Sequence, residues 1–103
     1  MKTGIQLIEA ERERQELGEG WTDEHDDQHT KGELAQAAAV YALPIDIKRM
    51  RQPIAVNATE RLEFLMWPFD MDWYKPTPDD RIRELEKAGA LIAAEIDRLQ
   101  RQK

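Results

Sequence analysis

The chain reads as a mainly α fold: three principal helices, with an irregular segment over residues 43–76 folded across them. Three observations lead there. Apolar residues recur at three–four spacing through the last twenty-odd positions, the signature of one helix face. An alanine-rich run, 34–42, follows Thr30 and Glu33, which are spaced as a capping box. An amphipathic opening segment stops at two glycines, Gly18 and Gly20.

The first helix is expected over residues 3–18, with Thr3 as N-cap. Ile5, Ile8 and Leu17 would face inward, and Glu9, Glu11, Arg12, Glu13, Arg14 and Glu16 would cover the outside. Residues 19–29 then read as an acidic loop. In the second helix, five alanines in Leu34–Ala42 give high helix propensity and allow close approach of a neighbour. Leu34, Ala37, Ala38 and Tyr41 share a face, and Pro44 ends the helix.

Residues 43–76 allow two readings, a small β-hairpin or an irregular loop. Ile45-Asp46-Ile47 and Ile54-Ala55-Val56 alternate in polarity, and Thr59–Met66 fits either a helical turn or a strand. The last helix is expected to start at Thr77 as N-cap with Pro78 at its first position. Ile82, Leu85, Ala88, Ile92, Ile96 and Leu99 would form its core stripe, with Gly89 beside it marking a tight contact.

At 103 residues the chain is expected to form one small helical domain, 1–103, with a thin core. Its net charge of −6 argues against nucleic acid, which demands a basic face, and against a membrane surface. Without cysteine there is neither a disulfide scaffold nor a thiolate metal site. No signal peptide or spanning run is read, so the cytoplasm is the expected location. A homodimer is expected to cover the remaining apolar surface, with Trp67 or Trp73 of one copy meeting Trp21 of the other.

Candidate chemistry concentrates in Glu19–Leu34, which holds both histidines, and in Trp67–Tyr74. Trp21, Trp67, Trp73 and Tyr74 would supply flat faces on which a nucleobase stacks, or else simply fill the core, and Tyr41 is a further candidate ligand contact. His25, Asp26, Asp27, His29 and Glu33 would line the ligand site. They also offer an imidazole–carboxylate set for a divalent metal, against which stands a solvated acidic loop. Lys48, Arg49, Arg51 and Lys75 are the candidate phosphate contacts. Glu13-x-x-Glu16 and Glu60-x-x-Glu63 match part of the magnesium-holding pattern of helical nucleotide pyrophosphohydrolases, a match that a chain with 21 acids produces by chance. No nucleophile elbow, phosphate-binding glycine loop or dinucleotide fingerprint occurs.

Glu19-Gly20-Trp21-Thr22 followed by Asp26-Asp27 resembles the signature of the ryanodine receptor repeat domain, a small helical module. The longer pattern in 19–42, with Trp67-Pro68-Phe69-Asp70 through Leu99, resembles small phage and prophage proteins, some described as related to dATP/dGTP pyrophosphohydrolases. The receptor-repeat resemblance implies an adenine nucleotide held between aromatics, with Trp21 at the base-stacking position. The chain lacks the proline-rich stretch that pattern has after Asp27. The expected function is therefore non-catalytic binding of a nucleotide or nucleotide-derived signal by a phage-encoded protein, with sequestration of a host defence signal as its use. No catalytic residue and no cofactor are assigned. A metal-dependent nucleotide pyrophosphohydrolase and an acidic protein that blocks a host protein are the alternatives.

Overall fold

The computed structural model describes residues 1–102 and is mainly α with one small hairpin. In order it comprises α1 (Gly4–Gly18), α2 (Asp23–Asp27), α3 (Glu33–Ala42), α4 (Ile45–Lys48), β1 (Arg51–Ala55), β2 (Ala58–Arg61), α5 (Leu62–Met66), a 3-10 turn (Met71–Trp73) and α6 (Arg81–Arg101). No helix among the described residues is long and apolar enough to cross a membrane.

Local chemistry accounts for most helix ends. Thr3 and Gln6 form a reciprocal capping box on α1. At its other end Gly20 takes φ 71°, and the reversal returns the Trp21 N–H to the Gln15 carbonyl at 3.1 Å. The acidic loop expected at 19–29 contains α2, capped by Thr22, whose hydroxyl accepts from the His25 N–H. The capping box expected at Thr30 does not form. Gly32 is the N-cap of α3, in a left-handed conformation, and Glu33 turns its carboxylate to the Lys31 N–H. The start of α6 is likewise later than expected. Asp80 caps it, accepting from the Arg83 N–H, and Thr77 instead donates to the Asp80 carbonyl.

Of the two readings of 43–76, the hairpin holds for 51–61: β1 and β2 pair antiparallel, from Arg51 opposite Arg61 to Ala55 opposite Ala58. The two-residue turn places Asn57 at φ 62°, a conformation asparagine tolerates better than most residues. The rest of the segment is pinned over α3. The Tyr41 hydroxyl accepts from the Lys75 N–H at 3.0 Å, and Tyr74 donates its hydroxyl to buried Glu63 at 2.6 Å.

The core lies between α3 and α6 and is capped by Trp67 and Tyr74. The α3 face is as expected: Leu34, Ala37, Ala38 and Tyr41 are all buried. The α6 face is not. Ala88, Ala90, Leu91 and Ala94 are buried, whereas Ile82, Leu85, Ile92, Ile96 and Leu99 are exposed. The small residues let α1 and α3 approach the helix axis, and the large aliphatic residues fall on a different arc. At Gly89 a Cβ would sit 2.4 Å from Cδ1 of Ile8, so this is where α1 crosses. The inward face of α1 also differs. Ile5 and Leu17 are exposed, and the residues it buries are Glu11 and Gln15.

Candidate functional site

Two adjoining cavities open where α1, α2 and the start of α3 meet α6 and the 67–76 segment. They share Glu19, Trp21, Trp73 and Leu91 as a common wall. One, of about 280 Å³, is aromatic and lined by His25, His29, Trp67 and Phe69. The other, of about 250 Å³, is cationic and receives Arg14, Lys75, Arg83 and Lys87 around Tyr41. Together they fall in the size range of small-ligand sites, about 300–1,000 Å³.

The aromatic cavity is built by stacking. The Trp21 ring lies parallel to His25, with 3° between planes and 5.8 Å between centroids. His29 meets His25 edge-on at 5.0 Å and Phe69 at 4.9 Å. Trp73 approaches Trp21 at 6.3 Å within the same chain, so no second copy is needed to bring the two indoles together. Trp67 is buried, donates its indole N–H to the Asp70 carbonyl, and serves as both core and cavity wall.

The cationic cavity is organised by one carboxylate. Glu11 is buried and receives Arg14 at 2.7 Å and Arg83 at 2.6 Å. Burial opposes its charge, but the hydrogen bonds from Arg14 and Arg83 outweigh it and hold the carboxyl below its ordinary range. A carboxyl whose folded pKa is depressed adds stability that is present above its unfolded value of 4.5 and is lost as pH falls through the depressed one. Thermal unfolding followed from pH 7 downward should therefore show falling stability below about pH 4.5, with a shallower decline in Glu11→Gln. An identical acid profile in the two proteins would reject this role.

Lys87 differs from the two arginines. It is nearly buried, forms no ion pair with a carboxylate among the described residues, and donates to the Lys75 carbonyl while lying over the Tyr41 ring at 5.5 Å. Burial first, then the nearby Arg83 charge, pushes its pKa down. Gln15 adds a second unmet group: its buried Oε1 has no hydrogen-bond partner. Among the described residues the cavity thus presents an ammonium outside any ion pair beside an acceptor without a donor. Burial also pushes the Tyr41 phenol up to about 12, so it is neutral at ordinary pH.

The residues singled out in the sequence divide between these cavities and the rest of the fold. Trp21, His25, His29, Trp67 and Trp73 line the aromatic cavity, and Tyr41 and Lys75 line the cationic one. Asp26 is buried behind them, accepting from Arg12 at 3.0 Å and facing His25 Nδ1 at 3.0 Å. Asp27 points away to Arg101 at the end of α6. Glu33 stands behind His29, at 3.6 Å from its Nδ1. Lys48 is not available to a phosphate, because it is buried against Glu84 at 3.4 Å. Arg49, just after α4, and Arg51, on the hairpin, are exposed and line neither cavity. Among the described residues no three His, Asp or Glu side chains converge as a metal-binding set.

Beside Lys75 the cavity takes its cations from Arg14, Arg83 and Lys87, whereas the basic run at 48–51 is the more conspicuous one in the sequence. A signal existed: Arg83, Lys87 and Leu91 recur at four-residue spacing, which puts two cations on the face of α6 that carries a core leucine. No protein-family model, curated protein or solved structure matches this chain.

Proposed function

We propose that the chain binds a nucleotide or nucleotide-derived signal and holds it without chemical change. One observation carries this reading: an aromatic cavity sharing a wall with a cationic one, in a chain whose net charge is −6. A nucleobase would stack against Trp21 and Trp73, and the phosphates would neutralise Lys87 with help from Arg14 and Arg83. Sugar hydroxyls suit the free acceptor on Gln15. The likeness of 19–42 and 67–99 to phage proteins supports sequestration of a defence signal as the use of such binding.

Titration with AMP, ADP, ADP-ribose and cyclic dinucleotides, read by calorimetry, tests the proposal. Trp21→Ala should weaken binding by roughly 5- to 150-fold, the equivalent of about 1–3 kcal/mol for one stacked base. Lys87→Met should erase the preference for a nucleotide over its nucleoside. Affinity should also fall as pH rises and the Lys87 ammonium deprotonates, which burial brings on earlier than for an ordinary lysine. The ligand should be recovered intact after denaturation. Equal affinity for nucleoside and nucleotide, or no binding at millimolar ligand, would reject the reading; a hydrolysed ligand would point to the enzyme alternative.

A further inference from the structure

The fold leaves one buried acceptor over. Gln15 is 2% exposed and lines the cationic cavity. Its amide Nε2 donates to the buried Glu11 carboxylate at 3.1 Å. That bond fixes which way the amide faces, since only its nitrogen can donate. Oε1 is left buried and without a partner among the described residues. The cations of the cavity do not serve it: Arg14 is engaged by Glu11 and Glu19, Arg83 reaches Glu11, and Lys87 donates to the Lys75 carbonyl. A buried acceptor without a donor is costly, so a donor brought in by a ligand gains more there than at an exposed group.

A second acceptor stands one turn on. Glu19, the C-cap of α1, lines both cavities and so lies at their junction. One of its carboxylate oxygens meets Arg14 at 3.4 Å, and the other has no partner among the described residues. The backbone ties these groups together. The Gln15 carbonyl accepts from the Glu19 N–H at 3.2 Å and from the Trp21 N–H at 3.1 Å. A single reversal of the chain therefore carries the stacking indole and both acceptors.

We propose that Gln15 and Glu19 read the cis-diol of a ribose, which makes the site selective for ribonucleotides over deoxynucleotides. The inference rests on the nucleotide-binding reading and narrows it. A nucleotide with its base in the aromatic cavity and its phosphate in the cationic one passes its sugar through the junction, where Glu19 stands. A ribose there brings two adjacent hydroxyl donors to two acceptors. An ionised phosphate cannot meet either group, because it brings acceptors only. A 2′-deoxy or 3′-deoxy sugar leaves one acceptor unpaired, and a phosphate on the 2′ oxygen sets negative charge against Glu19. An acid placed on a ribose hydroxyl discriminates in the same way in dinucleotide-binding folds.

Calorimetry with AMP, 2′-deoxy-AMP, 3′-deoxy-AMP and adenosine 2′,5′-bisphosphate tests the proposal. AMP should bind roughly 10- to 100-fold more tightly than either deoxy form, the value of one hydrogen bond to a charged or buried acceptor. The bisphosphate should bind more weakly than AMP, the reverse of what its extra charge alone gives in a cationic cavity. Glu19→Ala alters a half-buried side chain and should bring one deoxy form level with AMP, with the bisphosphate now the tighter ligand. Gln15→Met should level the other deoxy form. Affinity ratios are compared within each variant, so a loss of folded protein does not imitate the effect, and Glu19→Ala decides alone if Gln15→Met does not fold. Equal affinity of the wild type for AMP and both deoxy forms, or discrimination against both that survives Glu19→Ala, would overturn the diol reading and leave nucleotide binding in place. Binding of none of the four would overturn both.

Discussion

Leu91→Asp is expected to unfold the chain, whereas Ile92→Asp, one residue on, should leave the monomer's melting temperature within a few degrees of wild type. Leu91 is 1% exposed, packed between α3 and α6 and at the shared wall of both cavities; Ile92 is 47% exposed on the outer stripe. Aspartate at 91 gives up the buried packing of leucine, at a cost of about 2–5 kcal/mol, and must desolvate its carboxylate as well, a penalty that the Lys87 ammonium one turn away offsets only in part. Small domains are stable by only about 5–15 kcal/mol, so the sum consumes most or all of the margin. At 92 the carboxylate stays in water and the loss is a solvent-exposed aliphatic contact. Chemical denaturation of the two variants, with circular dichroism as readout, checks this. Equal destabilisation by both would mean that the buried arc of α6 is misassigned.

That contrast also shows where sequence pattern stops being informative. Periodicity finds α6 and its length, because a helix with apolar residues at three–four spacing is recognisable from one strand of sequence. It cannot say which arc a neighbour covers when two candidate arcs exist. On α6 the large residues form the more conspicuous stripe, but Ala88, Ala90 and Ala94 form the arc against which α1 and α3 can close. The first helix fails in the same way: its buried positions are Glu11 and Gln15, which hydrophobic patterning assigns to solvent. Glu11 meets Arg14 and Gln15 one turn on, but its third partner, Arg83 on α6, lies 72 residues away and leaves no local trace. The aromatic half of the candidate site was legible because Trp21, His25 and His29 are close in sequence and two successive turns bring them together. The cationic half was not, since it is assembled by the α1–α6 crossing. The α6 cap falls at Asp80 and not Thr77, where two oxygen-bearing side chains compete, and the α3 cap falls at Gly32, which starts the helix from a left-handed backbone with no side-chain cap.

Glu84→Leu is expected to destabilise the fold by about 3–5 kcal/mol, the cost of stranding a buried charge. Lys48 is 1% exposed, and among the described residues its ammonium meets only the Glu84 carboxylate at 3.4 Å and the Tyr41 carbonyl at 3.5 Å. Without Glu84 the lysine keeps a single weak acceptor in a dry site. The reverse change should cost less. In Lys48→Met the carboxylate retains Arg81 at 3.4 Å and the Thr77 N–H at 3.2 Å, so its charge stays compensated. The double variant should recover much of the loss from Glu84→Leu, since methionine and leucine can pack where the ion pair stood. The coupling energy from the double-mutant cycle measures how far the two residues act as one unit. A cycle with no coupling, or Lys48→Met as damaging as Glu84→Leu, would show that the pair does not carry the junction of α4 and α6. The same experiment bears on phosphate recognition. If Lys48 is a structural cation, Lys48→Met leaves nucleotide affinity unchanged while Lys87→Met reduces it, and the two lysines separate cleanly into one that holds the fold and one that waits for an anion.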